Sequence, residues 1–199
     1  LRIFRRIIKW AIAVSLLVFV SLAGFYLYPV IPDPEPDFLP RKGQLIDSRM
    51  TREFVRHNAV FQDYTLTSDS GLSVEVNIRR PRNFTKPRPL VIILGGYGTG
   101  RRATELVDSE QDAVIVSLNY PYEGDRRMEG ISLLFNIPHV QQALFDIAPA
   151  TMLTLDYLLQ QPYVDHQQVE LAGVSLGAFV AAIPGAMDTR VTRVWLVQG

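Results

Sequence analysis

The sequence predicts an α/β domain with a mostly parallel sheet and helices on both faces, preceded by a separate apolar helix. Three observations predict it. The runs "PLVIILGG" and "DAVIVSLNY" are continuously apolar, as expected of strands covered on both sides. Segments with apolar residues at three- and four-residue spacing lie between such runs. Turn signals punctuate the joints, and strands alternating with helices mean βαβ units.

The N-terminus stands apart. Arg2, Arg5, Arg6 and Lys9 crowd the first nine residues, and no charge follows until Asp33. Residues 10–28 are almost wholly apolar, and Pro29 ends any helix there. At roughly 1.5 Å per residue they would reach about 28 Å, close to the roughly 30 Å hydrocarbon core. Trp10, Tyr26 and Tyr28 suit the two interfaces, and the basic end should stay cytoplasmic. Residues 1–30 are therefore expected to be a membrane anchor or signal segment. Ser21-Leu22-Ala23 resembles a cleavage site, which leaves a removable signal open. Either way the remainder is expected on the extracytoplasmic side, anchored or secreted.

Residues 31–60 read as a linker and lead-in: "PVIPDPEPDFLPRKG" has five prolines in fifteen residues, and "MTREFVRHNAVF" suits a short helix. The core is expected over residues 61–199. It opens with a hairpin around Asp69-Ser70-Gly71, then "PLVIILGG" and a short helix in "GRRATELVDSEQ". "DAVIVSLNY" is the next strand. "PHVQQALFDIAPATMLTLDYLLQQ" is helical with a kink or break at Pro149. Strand "QVELAGVS", helix "LGAFVAAIPGAM" and strand "VTRVWLVQG" complete the pattern, six strands in all.

Composition narrows the chemistry. Lys+Arg 20 balance Asp+Glu 20, which gives no global argument for nucleic acid. No cysteine is present, so disulfides, thiolate metal sites and a cysteine nucleophile are excluded. Three histidines without HExxH make no case for zinc.

The chemistry-bearing stretch is "LAGVSLGA". Gly173-Val174-Ser175-Leu176-Gly177 matches G-x-S-x-G between a strand and a helix. Such a turn forces strained backbone angles on the serine, so residues two positions either side must lack bulk. The serine oxygen then stands above the sheet edge, and the Leu176 N–H faces developing negative charge.

At these residues the chain resembles the α/β-hydrolase family, from the hairpin through the last strand. "LDYLLQQPYVDHQQVELAGVSLGA" is similar to the helix, turn and nucleophile strand of exported esterase-like members. The resemblance implies a Ser-acid-His triad with Ser175 as nucleophile, and a second oxyanion donor from the loop after the family's third strand. Gly95-Gly96-Tyr97 occupies that position, so Tyr97 N–H would be that donor. It implies no cofactor and a small ester or acyl substrate. Peptidase and acyltransferase chemistry stay open on the same fold, as does a non-catalytic binding domain.

The glycines of "GGYGTGRR" also nearly match a Walker A loop. Arg101 replaces its lysine, however, and Arg102 its Ser/Thr. The two arginines allow two readings: pairing of Arg101 with Glu105 across one helical turn, or recognition of an anionic substrate group. The basic run "RRPRNFTKPRP" reads as a solvated connection.

The family order places the acid and histidine after the nucleophile, beyond "VTRVWLVQG". The chain is accordingly expected to be truncated after its sixth strand and inactive alone. His166 and His57 lie away from Ser175 on this map; His139 is the one conceivable substitute base. Asp165 and Asp188 lie at the wrong ends of their strands.

Overall fold

A computed structural model of the chain describes residues 2–27, 35–96, 98–107, 112–122 and 132–197. Two compact units result, Leu1–Pro34 and Glu35–Gly199.

The first unit is the helix α1, Arg2–Leu27. Its described apolar side chains are exposed, Leu17 at 68% and Phe19 at 69% among them. The expected transmembrane span is not found: among the described residues no helix is long and apolar enough to cross a membrane. Tyr28 and the linker residues 29–34 lie outside the described residues.

The second unit is a seven-stranded mixed sheet in the order β1-β2-β3-β5-β4-β6-β7. Its strands are β1 Leu45–Arg56, β2 Ala59–Ser68, β3 Ser73–Pro81, β4 Arg88–Leu94, β5 Val114–Leu118, β6 Val164–Val174 and β7 Arg193–Val197. β1, β2, β3 and β5 pair antiparallel in succession, whereas β5, β4, β6 and β7 pair parallel. The sheet is thus less parallel than expected, and it has one strand more.

The extra strand is β1, which replaces the short helix expected in "MTREFVRHNAVF". β1 pairs with β2 from Leu45↔Ser68 to Arg56↔Ala59, and Phe54 stacks on Phe61 across the pair at 5.0 Å. His57 turns the chain with φ of 55°. Residues 35–60 are consequently part of the domain. Helix α2, Glu35–Lys42, docks on helix α3, Ser132–Leu158, through Phe38 against Phe145 and the pair Arg41–Asp146 at 2.8 Å.

The two faces of the sheet differ. Val74, Val76, Ile78, Leu90, Ile92, Leu94, Val116 and Leu171 share one face and bury against α3 and helix α4, Leu176–Met187. Pro138 and Pro149 both lie inside α3, which runs on to Leu158 without the expected break at Pro149. The lost backbone bond is offset by burial of Ile147, Ala150, Leu153 and Leu158. On the other face Ile93, Ala103 and Ile115 form a small apolar cluster under the 3-10 helix η1, Gly100–Leu106. Beside it runs a buried polar chain. Asn77 Nδ2 donates to Asp63 Oδ1 at 2.7 Å, and Thr104 Oγ1 donates to Asn77 Oδ1 at 2.7 Å. This chain and Arg79, which donates to the carbonyls of Thr104 and Val107, tie η1 to β2 and β3.

Candidate active site

Ser175 sits between the end of β6 and the start of α4 with φ 55° and ψ −119°. Such angles are strained for any residue with a Cβ. Among the described residues only His57 and Ser175 combine positive φ with a side chain. The turn is held from both sides: Ser175 N–H donates to Val197 C=O at 3.0 Å, and Ala178 N–H donates to Ser175 C=O at 2.9 Å. The serine is exposed at the C-terminal edge of the sheet.

The flanking glycines are required by contact. A Cβ at Gly173 would lie 2.3 Å from the Gly177 carbonyl oxygen. One at Gly177 would lie 1.9 Å from that of Leu94. Only bare backbone lets α4 leave the strand against β4 this closely. Leu176 is the first residue of α4, where helix N–H groups lack intrahelical acceptors.

The loop after β4 reaches the same place. A Cβ built on Gly96 would stand 3.4 Å from Ser175 Cβ and 3.7 Å from its Oγ. Tyr97, expected as the second oxyanion donor, lies outside the described residues. The loop around it is fastened from β5. Tyr120 O–H donates to Gly95 C=O, Ser117 Oγ donates to Gly100 C=O at 2.8 Å, and Arg101 N–H donates to Asn119 Oδ1 at 2.9 Å. Burial pushes the Tyr120 hydroxyl up to about 12, so it stays a donor at any ordinary pH. These fastenings were not anticipated; "SLNYPY", the polar and aromatic end of a buried strand, was the available signal.

A cleft of about 640 Å³ opens beside Leu176. Its polar wall is residues 98–102 with Asn119 and Tyr120; its apolar wall is Val140, Ala143, Leu144 and Ile147 of α3. Arg101 does not pair with Glu105. Its guanidinium instead lies 3.5 Å from Glu75, which β3 holds opposite η1. The 3-10 geometry explains this, since three residues per turn carry position i+4 off the shared face. Arg102 donates weakly to Gly98 C=O at 3.4 Å and has no carboxylate partner among the described residues.

No family model matches this sequence, and no curated protein matches it. Solved structures do match. An acetyl xylan esterase from Thermoanaerobacterium sp. JW/SL YS485 superposes with a TM-score of 0.57 at 16% identity, over 83% of this chain and 58% of the other. A glucuronoyl esterase from Solibacter usitatus gives 0.54 at 17%, over 82% and 57%. A methylesterase gives 0.62 at 19%, over 80% and 38%. The fold is that of the α/β-hydrolases. The chain spans between 38% and 64% of the lengths of such matching structures.

On this α/β-hydrolase fold the other polar candidates fall away from Ser175. His139 is exposed and lines a separate cavity of about 200 Å³ with Arg41, Ser70 and Asp146. His166 stands near the N-terminal end of β6, and His57 turns β1 into β2. Asp165 accepts from Gln167 N–H and Gln168 at that same end of β6. Asp188 closes α4 and is gripped by Arg190 through two bonds, 2.8 and 2.6 Å.

Proposed function

We propose that this domain is the nucleophile-bearing part of a serine hydrolase acting on carboxylic esters. The observation that carries the reading is the backbone of Ser175, left-handed and exposed at the strand end. Such strain persists only where surrounding structure enforces it, and it clusters at functional sites. Ser175 Oγ would attack the ester carbonyl, passing its proton to a general base as the carbon becomes tetrahedral. The new oxyanion would be held by Leu176 N–H and by Tyr97 N–H from the loop beside Gly96. The alkoxide would then leave, giving an acyl-serine that water hydrolyses. That the matched structures bear esterase names supports ester chemistry over peptidase or acyltransferase chemistry on this fold.

None of the three histidines lines the cleft, so residues 1–199 alone are expected to turn over negligibly. The test is covalent labelling of the full-length protein by a fluorophosphonate. Ser175→Ala should abolish labelling without changing the circular dichroism spectrum. Equal labelling of the variant removes Ser175 from the chemistry. A folded wild type that never labels favours the binding-domain alternative.

We also propose an extracytoplasmic location for the domain, from the basic cluster Arg2, Arg5, Arg6 and Lys9 followed by an uncharged stretch up to Asp33, the order of charge found in export signals. Protease accessibility from the periplasmic or external face checks it; protection there would place the domain inside.

A further inference from the structure

We infer that the cleft selects esters carrying a second, anionic group, and that Arg102 is the residue that reads it. The inference rests on the esterase reading above. Among the described residues the cleft beside Leu176 is lined by two cations, Arg101 and Arg102, and by no carboxylate. Facing them are Val140, Ala143, Leu144 and Ile147, which offer only apolar surface. An occupant complementary to both walls has a short apolar stem ending in negative charge.

The two arginines are not equivalent. Arg101 is partly neutralised by Glu75 at 3.5 Å, and its backbone N–H is committed to Asn119. Glu75 is itself engaged by Asn119 Nδ2 at 2.7 Å, which holds that carboxylate on the sheet side. Among the described residues Arg102 makes one long contact to a carbonyl, which leaves further guanidinium donors for a ligand. An exposed cation at a cleft mouth costs little to maintain. Once an apolar stem excludes water from the wall opposite, its attraction for a carboxylate strengthens. The planar guanidinium suits a carboxylate through paired N–H donors, which a lysine would not provide.

The test compares ester pairs that differ only in charge, on the full-length protein. p-Nitrophenyl hydrogen glutarate against p-nitrophenyl pentanoate places the anion on the acyl side. p-Carboxyphenyl acetate against phenyl acetate places it on the alcohol side. The wild type should prefer the anionic member of at least one pair by about tenfold in kcat/KM at low salt, as expected for one charge-assisted contact. Arg102→Gln should collapse that ratio, and Arg102→Lys should restore part of it. A ratio near unity in the wild type overturns the inference, as does a preference that survives Arg102→Gln.

A second measurement needs no turnover. Glutarate titrated into the protein should saturate with shifts at residues 98–102, weaken with added salt, and lose its shifts in Arg102→Gln. If no ester is hydrolysed, the esterase reading fails. The anion site then stands on saturable, Arg102-dependent glutarate binding and falls if that binding is absent.

Discussion

Ser175→Gly and Ser175→Ala both remove the hydroxyl, yet the structure requires them to differ in stability. At φ 55° and ψ −119° a Cβ collides with neighbouring backbone, at a cost of about 1–3 kcal/mol. Glycine relieves that strain but gives the unfolded chain more freedom, returning about 0.5–1 kcal/mol. The net gain centres on about 1 kcal/mol, which in a domain of this size raises Tm by about 2–4 °C. Alanine keeps the strain and removes only an exposed oxygen, so its Tm should match the wild type within about 1 °C. Thermal unfolding followed by circular dichroism on all three proteins, with fluorophosphonate labelling of each, makes the comparison. Both variants should be unlabelled, and only the glycine variant should melt higher. A glycine variant melting at or below the alanine variant would refute the claim that the turn stores strain.

Gly177→Ala should be destabilised by about 1–3 kcal/mol or more, because its Cβ would lie 1.9 Å from the Leu94 carbonyl oxygen and neither backbone can yield cheaply. Displacing α4 also misplaces Leu176 N–H, so phosphonylation of Ser175 should slow by about tenfold or more; unchanged melting and labelling would contradict the packing account. Tyr120→Phe frees the Gly95 carbonyl, costing about 0.5–1.5 kcal/mol and slowing labelling if that bond positions the loop. The same variant carries a pH signature. The folded hydroxyl is raised from its ordinary 10 to about 12, so the folded state holds its proton longer than the unfolded chain. Its contribution is intact below pH 10 and is lost as pH climbs towards 12. Tyr163 is raised likewise and adds to the loss. Alkaline urea titrations should therefore show a shallower decline in Tyr120→Phe than in the wild type; identical slopes would show that Tyr120 is not the titrating group.

The parallel half of the fold was legible because its strands are buried on both faces and need no partner to be recognised. "DAVIVSLNY" reads as β5 from composition alone, since all five residues of that strand are buried. β1 was not legible for the opposite reason. It is an edge strand with ten of twelve residues exposed, three of them Arg, and its alternation has no core to face. What makes it a strand is its ladder with β2, which no local propensity records. The seryl turn was legible through Gly173 and Gly177, because steric necessity leaves a residue-type signature. The partner of Arg101 was not. Glu75 is brought there by the β3–β5 register, Asn77↔Ser117, while a local reading offered Glu105. Of the kink or break expected at Pro149, the break does not occur, because burial around Ile147, Ala150 and Leu153 outweighs the local penalty.

The strand order carries a consequence for where a cleft can exist at all. From β4 the chain crosses by η1 under one face to reach β5, and from β6 it crosses by α4 over the other face to reach β7. The segments leaving β4 and β6 therefore part to opposite sides of the sheet, and a crevice opens outside their carboxyl ends at this switch point. The crevice is set by connectivity and needs no particular side chain to keep it open. The side chains of Arg101, Arg102, Val140 and Leu144 can be exchanged while Gly173, Gly177 and the register Leu94↔Gly173 keep the serine in place. What is recognised and where it is attacked are thus written in separate parts of the chain, and substitutions can redraw the first without disturbing the second.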